Sequence, residues 1–156
     1  MTWKAKPHIL HFLHRTRGAV AVEFAIIGTL FFLIMAGIVD FGHAYYMKQV
    51  ITNASREGAR YGITYATNTS GVRIAPTALN PTIQNYILTK CLANSVLPSD
   101  ANPIVTVGGA GYTTGTKGSG IEVKVTATKT WFIVSGFIPC LGPQKTLNAT
   151  AVMLCE

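Results

Sequence analysis

The sequence predicts an α+β protein in which a long N-terminal transmembrane helix continues into a small exported domain with a second helix and an antiparallel β-sheet. Three observations predict it. From Ala19 to Val39 the only ionisable side chain is Glu23. About 21 residues at about 1.5 Å each give roughly 30 Å, enough to cross a bilayer core, and a helix satisfies its own backbone there. Helical spacing then continues with no proline before Pro76. From Ile104 onward, short β-branched runs alternate with period two, most clearly at Ile121, Val123, Val125 and Ala127.

The apolar span accounts for the composition. Hydrophobic residues make up 49% of the 156 and charged residues only 12%, a balance that argues for membrane association and against disorder. The formal charge of +7 suggests nucleic acid until it is divided along the chain. Lys4, Lys6, Arg15 and Arg17 precede Glu23 with no acid among them. A basic flank beside a span is the positive-inside pattern, placing the N-terminus in the cytoplasm and the C-terminal part outside. No basic patch interleaved with aromatics exists for nucleic acid. An ordinary secretory signal does not fit, because the apolar run is too long and Asp40–Ala44 is a poor cleavage site.

Past the span, Phe41, Ala44, Tyr45, Lys48, Ile51, Ala54, Gly58, Ala59 and Gly62 fall near helical spacing. One helix from Ala19 to about Tyr65 is therefore expected, divided into a membrane part (19–39) and an exported continuation (40–65). Tyr45 and Tyr46 stand where aromatics anchor a helix at headgroups. Ala54, Gly58 and Gly62 form a row that lets another element approach closely, and Glu57 reaches Arg60 at i+3. A C-terminal α+β domain (66–156) follows, opening on a polar loop at Ala66–Gly71. Asn80 as cap and Pro81 at the first helical position predict a second helix to about Asn94. Strands are expected at Ile104–Val107, Ile121–Lys129 and Leu147–Met153. Gly108–Gly120 reads as a flexible hairpin-like connection and Pro139–Pro143 as a loop. Trp131–Val134 either packs on the sheet or exposes a binding patch.

The segment Arg17-Gly18-Ala19-Val20-Ala21-Val22-Glu23-Phe24 resembles the processing site of type IV pilin-like precursors. Joined to Val22-Glu23-Phe24-Ala25 are Gly37-Ile-Val-Asp-Phe-Gly42 and Ala54-Ser-Arg-Glu-Gly-Ala-Arg-Tyr61. Together these resemble the TadE-like family, the minor pilins or pseudopilins of the tight-adherence (Flp) pilus machinery. The resemblance covers about a third of the chain and rests on three motifs in register. It implies a basic leader (1–18) cut by a prepilin peptidase between Gly18 and Ala19. It also implies that Glu23 pairs with the new N-terminal amine of a neighbouring subunit, which would offset the cost of a carboxylate among apolar helices. Phe24, Gly28 and Gly37 would serve membrane-helix packing. Gly42, Glu57, Gly58, Ala59 and Arg60 are the family-motif positions, with Gly42 closing a turn out of the membrane. Gly28-Thr29 stands where the family often has proline, so a kink there is not assured.

Each sharp reading has a bland competitor. Glu23 alone could be a snorkelling carboxylate and Gly18 alone a flexible helix start; their spacing and the matched motifs favour processing and assembly. Arg56, Glu57 and Arg60 are more often a solvated face than a site. The Ala54/Gly58/Gly62 row favours packing on the sheet over contact between subunits. Cys91, Cys140 and Cys155 fall on the exported side, where one disulfide is permitted with one thiol left over, and three pairings are open. No cofactor is expected, and no metal: the cysteines lack ligand spacing, and His8, His11 and His14 lie in the leader. From Ala66 onward there is no histidine and the only acids are Asp100, Glu122 and Glu156, so no base–nucleophile arrangement suggests an enzyme.

The expectation is thus a minor pilin or pseudopilin, single-pass in a bacterial inner membrane with its N-terminus cytoplasmic, and either retained there or carried into an extracellular pilus. The resemblance implies as partners a prepilin peptidase, the major Flp-type pilin and other minor pilins, an inner-membrane assembly platform and membrane lipid. The alternatives are an uncleaved, signal-anchored periplasmic binding or adhesin domain, and an accessory subunit of a membrane secretion complex.

Overall fold

With no proline to remove a donor, the chain forms one helix, α1 (Leu10–Ile63), in the computed structural model. The model describes residues 10–64, 66–72, 74–138 and 142–155, and of residues 10–17 the backbone alone. The helix begins earlier than the expected Ala19, inside the basic leader. It also runs through Gly42 without the expected turn. A single glycine costs a helix only about 1 kcal/mol, which neighbouring turns absorb.

The chain divides after Val39 into two units. In the first, Val22, Phe24, Phe31, Phe32 and Ile38 are exposed, as a lipid-facing helix requires. Phe31 and Phe32 meet edge to face with ring centroids 5.9 Å apart.

In the second unit, the C-terminal half of α1, from Asp40 on, packs on a three-stranded antiparallel sheet whose strands neighbour one another in chain order. The strands are β1 (Ile104–Gly108), β2 (Gly120–Thr130) and β3 (Gln144–Leu154). Each expected strand is present and slightly longer than expected. The central strand pairs with β3 along its whole length, from Gly120 opposite Leu154 to Thr130 opposite Gln144. The alternation places Ile121, Val123, Val125 and Ala127 in the core with Met47, Ile51, Ala54 and Ala59 of the helix. The inward row of α1 is therefore Met47, Ile51, Ala54, Gly58 and Gly62; of Tyr45 and Lys48, expected on it, Tyr45 is exposed and Lys48, at the rim, donates to the Asn148 carbonyl of β3.

Two connections differ from expectation. Thr82, not Asn80, caps the second helix: its hydroxyl accepts the Asn85 N–H at 3.3 Å, and α2 (Ile83–Tyr86) starts after Pro81. It widens into a π-helical turn over Ile87–Leu92, stopping short of Asn94. The glycine-rich connection holds a short helix, α3 (Ala110–Thr114), where Gly111 closes on the β2 start: a Cβ there would meet the Ser119 carbonyl at 2.7 Å. The loop at Ala66–Gly71 is as expected, built on Asn68, whose Oδ1 accepts the N–H of Ser70 and Val72 at 3.0 and 2.9 Å. After β2 a four-residue helix, α4 (Val134–Phe137), leads toward β3. The loop expected at Pro139–Pro143 lies mostly outside the described residues.

Candidate functional site

The head of the apolar helix carries the first set of sequence-predicted residues. Gly18, Ala19, Glu23 and Phe24 are all exposed. A Cβ added at Gly28 or Gly37 would meet nothing within 4 Å, so both leave open surface on the helix. The Thr29 hydroxyl donates to the Ala25 carbonyl at 2.8 Å. This satisfies the hydroxyl within the helix, and α1 continues unbroken past the position where the family often has proline.

The second set lies on the C-terminal half of α1, where Glu57, Gly58, Ala59 and Arg60 each pack or bond; Gly42 faces open space. Glu57 receives Nε and a terminal nitrogen of Arg60, both at 3.0 Å, and the Tyr86 hydroxyl at 3.3 Å. The Arg60 hydrogen bond is the largest influence on the Glu57 carboxyl; it outweighs burial and holds the group below the usual carboxylate range. Tyr86 also stacks on Tyr61 at 4.2 Å, and the Tyr61 hydroxyl donates to the Pro81 carbonyl at 2.9 Å. Gly58 and Gly62 are the floor on which α2 and β2 sit. A Cβ on Gly58 would stand 2.6 Å from Ile87 Cγ1, and one on Gly62 would stand 2.7 Å from Ile83 Cδ1. Ala59 is fully buried beside them. The Glu-Gly-Ala-Arg run is thus a docking surface for the second helix, with its small residues inward and its charges at the rim. A groove of about 420 Å³ opens beside it, lined by Asn53, Glu57, Tyr86, Lys90, Cys91 and Asn94 among others.

The third set was not foreseen. Asp40, the residue directly after the apolar span, is 1% exposed and lies 3.5 Å from the Lys129 ammonium, which is fully buried. Its carboxylate also accepts three backbone N–H groups: Phe132 on Oδ1 at 3.0 Å, and Ile133 and Val134 on Oδ2 at 2.9 and 3.0 Å. Lys129 donates to the Thr130 carbonyl at 2.5 Å and lies 4.0 Å from the Phe132 ring centroid. Trp131 is buried against Phe41, with centroids 5.3 Å apart, and Phe132 stands 5.4 Å from the His43 ring. Among the described residues, Trp131 Nε1 and His43 Nδ1 have no hydrogen-bond partner. Burial pushes the Asp40 carboxyl up, but the three N–H donors and Lys129 outweigh it and hold the group below its usual value.

Both residues left a trace in the sequence. Lys129 is the next member of the Ile121–Ala127 alternation, so period two alone sends it inward. Asp40 is an isolated acid at the end of an apolar run, inside the Gly37–Gly42 motif.

Cys91 is partly buried and Cys155 buried, and neither forms a disulfide among the described residues; Cys140 lies outside them. Burial, then Glu57, pushes the Cys91 thiol up, away from the reactive thiolate form. No three of His, Cys, Asp and Glu converge as metal ligands would among the described residues.

Fold and site together define a class: an α+β protein with a long apolar helix, suited to membrane anchoring, whose polar half is clasped onto a small sheet. Residues 18–60 match the family model described as TadE-like protein, so that stretch of the chain is similar to the family. The match covers the span, the Asp40 position and the Glu-Gly-Ala-Arg run, and it ends before the sheet. No curated protein and no solved structure matches the chain.

Proposed function

We propose that this chain is a minor pilin or pseudopilin of a tight-adherence (Flp) pilus. It is made as a single-span precursor in a bacterial inner membrane, with its leader cytoplasmic and its sheet domain periplasmic. A prepilin peptidase cuts after Gly18, and the shortened helix packs among the major pilin and other minor pilins under the inner-membrane platform. The role is structural, with no catalysis by the chain itself.

The observation that carries this reading is Glu23, the lone carboxylate of the apolar stretch, exposed on the helix five positions after Gly18. A charge held in hydrocarbon needs a partner, and an amine freed at Ala19 of an adjoining copy is a suitable one. The TadE-like match over residues 18–60 supports the same system. Because α1 runs through the Gly18–Ala19 bond, the peptidase must unwind the helix locally. Gly18 eases that by about 1 kcal/mol relative to alanine.

The test is the N-terminal mass of the chain made with and without the peptidase. Ala19 is expected as the first residue only when the peptidase is present. Met1 under both conditions would leave a tethered binding domain in its place. Glu23→Ala is expected to keep membrane insertion and to abolish incorporation into filaments; normal piliation in that variant would point instead to an accessory subunit of the secretion complex.

A further inference from the structure

The Asp40 clasp holds a segment whose exposed side chains are apolar. Phe132, Ile133, Phe137 and Ile138 are 64%, 46%, 62% and 40% exposed, a concentration that a water-facing loop rarely shows. From Thr130 to Pro143 there is no charged side chain. The ionisable pair beneath the segment, Asp40 and Lys129, is buried and opposite in sign, so it presents no net charge.

The position of the segment is fixed through Asp40. That residue follows Val39, the last of the apolar span, without an intervening residue, and its carboxylate holds the backbone at Phe132, Ile133 and Val134. The headgroup layer is roughly 5–8 Å deep on each side of the hydrocarbon. A helix climbs that depth in about four or five residues at about 1.5 Å each, from Asp40 to Ala44 or Tyr45. His43, whose ring lies 5.4 Å from that of Phe132, falls within this interval. With residues 19–39 in a bilayer, the apolar segment is tied through Asp40 to the point at which the chain would leave it, a region preferred by aromatic side chains.

We propose that Trp131–Ile138 is a second membrane contact, with Phe132, Ile133, Phe137 and Ile138 seated at the boundary between headgroups and acyl chains on the exported side. The occupant of the patch is the bilayer that the span crosses. Asp40 acts as a positioning residue: by binding three consecutive N–H groups it removes the polar backbone cost of laying the segment against lipid. The contact would orient the sheet domain at the membrane. The inference needs only that the span is in a bilayer, so it stands or falls separately from the pilin reading.

The test uses the full chain in phosphatidylethanolamine–phosphatidylglycerol vesicles, with Cys91, Cys140 and Cys155 replaced by serine. An environment-sensitive fluorophore is attached at Phe137→Cys or, as the reference, at Val72→Cys, which replaces a residue 60% exposed in the loop past the C-terminal end of α1 at Ile63. Quenchers are carried on lipid chains at shallow depth. Emission from position 137 is expected to be blue-shifted and quenched several-fold more than that from position 72. Adding Asp40→Asn should reduce the difference. Equal quenching at the two positions overturns the proposal. So does a blue shift at 137 that lipid-borne quenchers leave untouched, because the patch would then be covered by protein. Retained protease resistance of the labelled sheet domain establishes that each labelled chain is folded.

Discussion

Asp40→Ala is expected to lower the stability of the helix–sheet unit by about 3–5 kcal/mol, the usual result of removing one member of a buried ion pair. The expectation is large because the carboxylate has two roles. Its loss strands the Lys129 ammonium, which is fully buried, and also leaves the N–H groups of Phe132, Ile133 and Val134 without their acceptor. Lys129→Met is expected to cost less, roughly 1–3 kcal/mol, because Asp40 then keeps its charge-assisted backbone hydrogen bonds. Hydrogen exchange of β2 amides in the full chain, held in lipid discs, reads both variants on one scale. A Lys129→Met cost equal to or above that of Asp40→Ala would show that the ion pair, and not the backbone binding, dominates the clasp. The clasp also predicts an acid limb. The Asp40 carboxyl is held below its ordinary value, so its contribution is fully present above the unfolded value of about 4. It is lost as the pH falls through the lower folded value. Asn at position 40 should flatten that limb while lowering stability at neutral pH.

Gly58→Val is expected to cost about 1–3 kcal/mol through overpacking. The added side chain would begin 2.6 Å from Ile87 Cγ1, with Val123 behind it at 3.5 Å, and Ile87 is itself fully buried. Alanine at the same position brings the clash of its Cβ but recovers about 1 kcal/mol of helix preference, so its net effect should be smaller. Shortening Ile87 to alanine alone leaves a cavity and costs roughly 2–5 kcal/mol. Combined with Gly58→Val it should cost less than the sum of the two by about 1 kcal/mol or more, since the new side chain enters the space vacated. Gly42→Ala is the control: its Cβ would enter open space and should leave the sheet unit at least as stable. The same exchange measurement reports all five variants, and strict additivity of the double variant would rule out the close approach of Ile87 to Gly58.

The helix and the strands were legible because each is written as a period in one stretch of chain. Alternation at Ile121–Ala127 and absence of proline between Pro7 and Pro76 needed no partner to be read. The row of Ala54, Gly58 and Gly62 was also legible as a close-packing face, and the structure seats Ile83 and Ile87 on its glycines. The cap of the second helix was misread because Asn80, Pro81 and Thr82 all carry cap or first-turn chemistry, and only the backbone path selects Thr82. The helix inside the glycine-rich connection was missed because Ala110–Thr114 is too short to show a period. For Asp40 the difficulty was of another kind: its partners lie about ninety positions later, and local patterns carry no information over that separation.

The sequence by itself determined the elements and the membrane segment, since hydrophobic period and helix length are local properties set by backbone geometry and the thickness of the bilayer. It also determined the candidate processing site, as a spacing of Gly18, Ala19 and Glu23 that no folding alters. Only the tertiary structure decided what holds the sheet to the C-terminal half of α1. A carboxylate and an ammonium can be buried together only when folding brings them within reach and supplies the remaining hydrogen bonds; that condition depends on the packing of the whole sheet against α1.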